Sequence, residues 1–272
     1  MAKRLQSPSS INTFKQCQRK YYYSYIEKLP RKDSIHTVRG NIAHSTLEYF
    51  YDLDVSSYTM DNFEKEFKVS IQKLLLNQWA SYSEKLEKLD LTPDKTRFYF
   101  EETMMMVLNW CNHFLKDMKK EYAKDPRSIT DMFSQIAPVR EQEVKSETHQ
   151  VRGFIDAIKH HENGEIHIID YKTNKQAVIK DSIRLQLSIY ALLYQEKYGK
   201  LPQKVGAFFL REGLKMIDVT DDMTQNAKLQ IENIHAHTDI TDNIVDYKRT
   251  ITPLCRWKTG QCDFYETCKP HG

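Results

Sequence analysis

The stretch Ile166-His167-Ile168-Ile169-Asp170-Tyr171-Lys172 constrains the fold of this chain more than any other. It begins as an apolar, β-branched run and ends in charge, the pattern of a central strand covered on both faces and opening at one tip. Residues two apart on a strand share a face, so Asp170 and Lys172 emerge side by side. Such a strand needs neighbours in a sheet and helices over it, and the flanking sequence provides both.

Before Pro138 the pattern is helical. Ser10 is the expected N-cap of a helix over about 11–29, with Pro30 just beyond its end. Further helices are expected over about 38–51 and 61–86, then a long one opened by Thr92-Pro93 and closed by Asp125-Pro126. After Pro138 come expected strands at 139–145, 151–159 and 166–171. A helix over 182–198 follows, capped by Asp181 and ended by Gly199 and Pro202, then a strand at 205–211 and a helix at 222–235. The order, helices and then βββαβα, predicts an α/β fold with a central mixed sheet flanked by helices and a helical N-terminal region.

Composition removes several classes. The chain has 272 residues, enough for a large core, and its 11% of aromatic side chains opposes disorder. No run of about 18 apolar residues is present, so no membrane span and no membrane partner are expected. Met1-Ala2-Lys3-Arg4-Leu5-Gln6 lacks the apolar core of a secretory leader, which points to a cytoplasmic protein. With 40 Lys+Arg against 37 Asp+Glu the net charge is +3, so nucleic-acid binding depends on where the charge gathers. Five cysteines, an odd number, are no disulfide framework.

Asp156, in Gly153-Phe154-Ile155-Asp156, stands fourteen residues before Asp170. Strand register decides whether they meet. A two-residue Asn163-Gly164 turn would throw the aspartates to opposite faces. A three-residue loop, Glu162-Asn163-Gly164 with Gly164 left-handed, pairs His161 with Glu165 and sets Asp156 opposite Asp170. We expect the second. Two carboxylates about 5 Å apart across strands repel unless a cation lies between them, and a hard divalent ion suits oxygen ligands.

Gly-x-x-Asp156 followed by Asp170-x-Lys172 resembles the PD-(D/E)XK nuclease signature, in the form of RecB-like and Cas4-like exonucleases. Three flanking elements extend the likeness. Gln186-x-x-x-Tyr190, on one face of the next helix, matches a further RecB-like motif. Arg39-Gly40-Asn41-Ile42-Ala43-His44 resembles the family's Gly-x-x-x-His element. The run from Ser7 to Tyr23, with Lys15, Arg19, Lys20 and three tyrosines, resembles its N-terminal box and combines phosphate-neutralising charge with stacking surface. The resemblance implies a restriction-endonuclease-like core with Mg²⁺ or Mn²⁺ held by His44, Asp156, Asp170 and the Tyr171 carbonyl. It implies Lys172 as the residue assisting the attacking water, with Gln186 and Tyr190 orienting the substrate. An acid on the preceding strand is also implied, with Glu143 the first candidate and Glu141 the second.

Cys17, Cys255, Cys262 and Cys268 make four thiols, a set suited to a [4Fe-4S] cluster. The iron–sulfur nucleases of the RecB-like and Cas4-like group use one N-terminal and three C-terminal cysteines in this way, although the gap between Cys255 and Cys262 is longer than their usual one. The competing reading is zinc on Cys255, Cys262, Cys268 and His271. Cys111 lies among Leu108, Trp110 and Phe114 and reads as a core thiol.

Four segments are therefore expected: N-terminal helices with DNA contacts and the cluster cysteine (1–53), a helical insertion (54–137), the nuclease core (138–250) and the cysteine segment (251–272). The expected activity is metal-dependent exonucleolytic hydrolysis of single-stranded DNA or DNA ends in recombination, repair or replication, with a helicase or recombination protein as a further partner. The alternatives are a Cas4-type spacer-acquisition nuclease and a non-catalytic DNA-binding module of a helicase–nuclease complex.

Overall fold

The protein is described here by a computed structural model covering residues 4–257 and 260–269. Helix α1 (Pro8–Gln16) starts earlier than expected, because Ser7 rather than Ser10 is its N-cap. Ser7 and Ser10 exchange side-chain-to-backbone hydrogen bonds in a capping box, and Pro8 fits the first turn. The expected single helix also breaks at Cys17, whose extended backbone (φ −163°) separates α1 from α2 (Gln18–Tyr21) and a π-helical turn over Tyr22–Ile26.

Helices α3 (Ile35–Phe50), α4 (Phe63–Ser81), α5 (Ser83–Glu87) and α6 (Pro93–Lys124) follow. The expected helix over 61–86 is thus interrupted at Tyr82. Helix α7 (Ile129–Ile136), capped by the Ser128 hydroxyl, adds an element that periodicity did not indicate.

Strands β1 (Val139–Ser146), β2 (Val151–His160) and β3 (Ile166–Lys172) lead to α8 (Asp181–Tyr198), β4 (Lys204–Phe209), β5 (Gly213–Asp218) and α9 (Asp221–Thr238). The sheet has five strands in the order β1-β2-β3-β4-β5. Only β3 and β4 are parallel, joined by the crossover through α8. The strand missing from the sequence expectation is β5, an edge strand whose residues are mostly exposed and so lack a clear apolar stripe. The chain closes with a small hairpin, β6 (Arg256–Trp257) and β7 (Gly260–Gln261), and a last turn, α10 (Tyr265–Cys268).

Each sheet face has its own core. Ala157, Ile169, Tyr171 and Phe208 pack beneath α3, α4, α6 and α7, with Phe50 at the centre of an aromatic group that includes Phe67, Trp110, Phe114 and Phe133. Ile158, Ile166, Ile168, Val205 and Phe209 pack beneath α1, α8 and α9. This three-layer α/β/α arrangement buries β3 on both sides, as its apolar run requires. Among the described residues no helix is long and apolar enough to cross a membrane.

Candidate active site

The loop between β2 and β3 sets the site. His161 N donates to Glu165 O at 2.9 Å, Gly164 N donates to His161 O at 2.9 Å, and Gly164 has φ +80°. This is the three-residue turn, with glycine at the left-handed position. The ladder runs from His160↔Ile166 to Ala157↔Ile169, and the next pair in that register is Asp156 and Asp170. Asp156 is 9% and Asp170 2% exposed, so both carboxyls are withdrawn from water.

Strand alternation sends Asp170 and Lys172 to the α8 side. Lys172 Nζ lies 2.6 Å from Asp170 Oδ2 and donates to Gln186 Oε1 at 2.9 Å. Gln186 Nε2 in turn donates to Asp170 Oδ1 and to the Tyr190 hydroxyl, each at 2.8 Å. The amide of Gln186 is therefore fully used in fixing Asp170, Lys172 and Tyr190. Gly153, three residues before Asp156, is required for this packing: a Cβ there would lie 2.8 Å from the Tyr190 ring.

From the other side α3 brings in His44. Its Nε2 is 3.0 Å from the Tyr171 carbonyl oxygen, and its Nδ1 is 3.5 Å from Asp156 Oδ2, which also accepts from Tyr171 N at 2.7 Å. Burial alone would lower the His44 pKa. The hydrogen bond and charge of Asp156, with the charge of Asp170, outweigh it and raise the pKa.

The acid that joins this group is Glu141 rather than Glu143. Ligand atoms of His44, Glu141 and Asp156 all lie within 4.8 Å of one another. Glu143 is exposed and turns to Arg152, 3.5 Å away. Regular alternation would put residues 141 and 143 on one side, but Glu141 has φ +45°, outside the strand region. Opposite it, Ile155 and Ile158 enter the same core although three residues apart, so β2 breaks its own alternation at Asp156. Paired distortions of this kind, held by well-packed surroundings, concentrate at functional sites.

The electrostatics are those of acids with too little positive charge among them. Burial, then the Asp156 charge, pushes the Glu141 carboxyl up to about 7. Burial also raises Asp170, against the pull of Lys172. One imidazole and two carboxylates, those of His44, Glu141 and Asp156, gather with the Tyr171 carbonyl beside them and fit a hard divalent cation in donor type, whereas Asp170 stands outside this 4.8 Å group and is held by Lys172 and Gln186.

The cysteines form a separate site. Cys17, Cys255, Cys262 and Cys268 line one pocket with Lys20, Tyr23 and Phe264, at the break between α1 and α2. All four are free thiols, and burial raises Cys262 and Cys268. Among the described residues no three of their sulfurs approach within 4.8 Å of one another. A tetrahedral zinc needs sulfurs about 3.8 Å apart, so this spacing does not match a zinc site, and His271 lies outside the described residues. Cys111 is buried, and desolvation pushes its thiol up to about 12, as expected of an inert core residue.

Comparison with known proteins bears on the family and the fold. The family model described as the PD-(D/E)XK nuclease superfamily matches residues 6–269. A relative from Streptococcus agalactiae, one of the subunits of an ATP-dependent helicase/deoxyribonuclease, is 23% identical over 229 residues, covering 80% of this chain. The match spans only 19% of that relative's length. A candidate exonuclease of known structure from Eubacterium rectale superimposes with a TM-score of 0.50 at 13% identity, covering 98% of this chain and 94% of that one, a likeness of fold.

Proposed function

Because the chain belongs to the PD-(D/E)XK nuclease superfamily, we propose that it is a divalent-metal-dependent DNA exonuclease of the RecB-like group, acting on single strands or DNA ends in recombination, repair or replication. One observation carries this reading: His44, Glu141 and Asp156 gather within 4.8 Å of one another, and Asp170, the residue opposite Asp156 in the β2–β3 register, is paired with Lys172.

His44, Glu141, Asp156, Asp170 and the Tyr171 carbonyl would hold the cation. The His44 ring lies between the Asp156 carboxylate and the Tyr171 carbonyl, two oxygen donors that suit a cation. When bound, Mg²⁺ or Mn²⁺ supplies Lewis-acid polarisation of a phosphoryl oxygen and lowers the pKa of water. Lys172 would direct its ammonium at the attacking water or at charge building on the phosphate. Asp170 and Gln186 hold that ammonium, and Tyr190 holds Gln186, so Gln186 and Tyr190 act as positioning residues.

The four thiols lining one pocket support a [4Fe-4S] cluster on Cys17, Cys255, Cys262 and Cys268, placed where it would tie the N-terminal helices to the C-terminal segment. The relative's name supports a helicase as partner. A Cas4-type role has no observation of its own in its favour.

The test is Lys172→Ala with end-labelled single-stranded DNA and Mn²⁺. Cleavage should fall by about 10³-fold, the scale for losing a transition-state charge donor, with DNA binding kept. Retained cleavage removes the catalytic assignment.

A further inference from the structure

Two of the three gathered cation donors come from different elements. His44 stands on α3, and Glu141 stands on β1 at the edge of the sheet. Arg140, the residue just before Glu141, ties these two elements together. Its Nη1 donates to the carbonyl oxygen of Glu48, one helical turn beyond His44, and its Nη2 donates to Asp52 Oδ1 at 2.8 Å. The guanidinium also lies over the Tyr51 ring, 5.8 Å from its centroid.

The end of α3 is made to receive such a group. Its last turn carries no basic residue of its own, and the final carbonyls of a helix have no partner within it. A cation at that end is favoured by the helix dipole, and a planar guanidinium can meet a carbonyl and a carboxylate at once.

The backbone of the next residue shows what this tether does. Arg140 pairs with Ala157 and Gln142 with Ile155, which sets Glu141 opposite Asp156. Successive strand residues turn to opposite faces, so with Arg140 held on α3 a regular strand would point Glu141 away from it. Instead φ +45° at Glu141 brings its carboxylate within 4.8 Å of the His44 and Asp156 ligand atoms. A glutamate keeps that conformation only where its surroundings over-determine it. Arg140 is the adjoining anchor.

We propose that Arg140 is a positioning residue for the cation site: by fastening β1 to the last turn of α3, it holds Glu141 in the strained conformation that aims its carboxylate at the ion beside His44 and Asp156. The assignment rests on the metal-dependent nuclease reading above. A guanidinium near the site would, by charge alone, weaken the binding of a cation. Weaker binding once Arg140 is removed therefore reports geometry and not charge.

The experiment titrates Mn²⁺ into the full chain without DNA, following free Mn²⁺ by electron paramagnetic resonance and the melting temperature in parallel. Arg140→Gln should weaken Mn²⁺ binding by about tenfold or more, the scale for losing a group that orients a ligand. Arg140→Lys keeps the charge but not the fork, and should fall between that variant and the unaltered chain. A cycle with Glu141→Gln, which keeps His44, Asp156 and an amide oxygen at 141, separates positioning from a merely structural role. If Arg140 acts through Glu141, adding Arg140→Gln to Glu141→Gln should change affinity by less than about twofold. Circular dichroism in chelator checks folding, and Arg140→Lys carries the same cycle if the glutamine variant does not fold. Unchanged or tighter Mn²⁺ binding in the Arg140 variants overturns the proposal, and so does an equal loss in both Glu141 backgrounds. The unaltered chain distinguishes this from failure of the nuclease reading: absence of Mn²⁺ binding there removes the metal site itself, whatever Arg140 does.

Discussion

The tip of the sheet and the cysteine pocket are held in opposite ways. At the tip, Lys172, Asp170, Gln186 and Tyr190 hold one another, with Asp170 Oδ2 left to its ion pair with Lys172, and both sheet faces are sealed by packed helices. Around the cysteines, Phe264 is the one buried residue among those described after Tyr247. A short segment with so little apolar burial cannot hold four thiols in place by packing alone. The site of proposed chemistry is therefore preformed by the fold, whereas the pocket depends on what it binds.

The contrast breaks most visibly at Cys262. If the pocket holds a cluster linking Cys17 to the C-terminal segment, Cys262→Ala opens a loop spanning most of the chain. That should lower stability by about 3 kcal/mol, on the scale of a cross-link closing a long loop. For a chain of this size the melting temperature should fall by roughly 6–12 °C. Protein prepared without air should be brown and contain iron and sulfide, and the variant should lose both. Unchanged melting in a colourless preparation removes the staple and leaves the thiols as ordinary residues.

This difference also governs what could be read from the sequence. The β2–β3 register was legible because Gly164 is the residue in that loop best suited to a left-handed position, and a three-residue turn then places Asp156 against Asp170. The α8 motif was legible because Gln186 and Tyr190 are one helical turn apart. Glu141 ranked second to Glu143 because alternation treats them alike, and nothing in a one-dimensional pattern announces φ +45° at a glutamate. The break at Cys17 was hidden within residues that all suit a helix, although a cysteine held in extended backbone is consistent with a ligand presented outward. The hold of Arg140 on Glu48 and Asp52 was invisible, since its members lie far apart in the chain, on β1 and at the end of α3.

The preformed character of the tip can be tested next at Gly153. A methyl group there meets the Tyr190 ring at 2.8 Å and the Leu193 side chain at 3.3 Å. Overpacking of that kind costs about 1–3 kcal/mol, and the shift is passed through Tyr190 to Gln186 and Lys172. Gly153→Ala should melt roughly 3–8 °C lower and cleave at least tenfold more slowly, while its iron content stays unchanged. Equal loss of iron would show that the two regions are coupled rather than independent.

The finest test separates Glu141 from Glu143, two residues apart on β1. The Glu141 carboxyl is pushed to about 7, above its ordinary value, by burial and then by Asp156. The folded state therefore holds that proton more tightly than the unfolded chain. The stability this contributes is fully present below about pH 4 and lost as pH rises through 7. At pH 8, after discounting for solvent, the ionised group costs about 1 kcal/mol. Glu141→Gln should raise the melting temperature at pH 8 by roughly 2–4 °C, leave it unchanged at pH 4, and reduce cleavage along with any Mn²⁺-induced stabilisation. Glu143→Gln loses only an exposed pair with Arg152, so melting should move by no more than about 1 °C at either pH and cleavage should stay within about twofold. Inactivation by Glu143→Gln with Glu141→Gln still active would return the acid to the place that strand alternation first suggested.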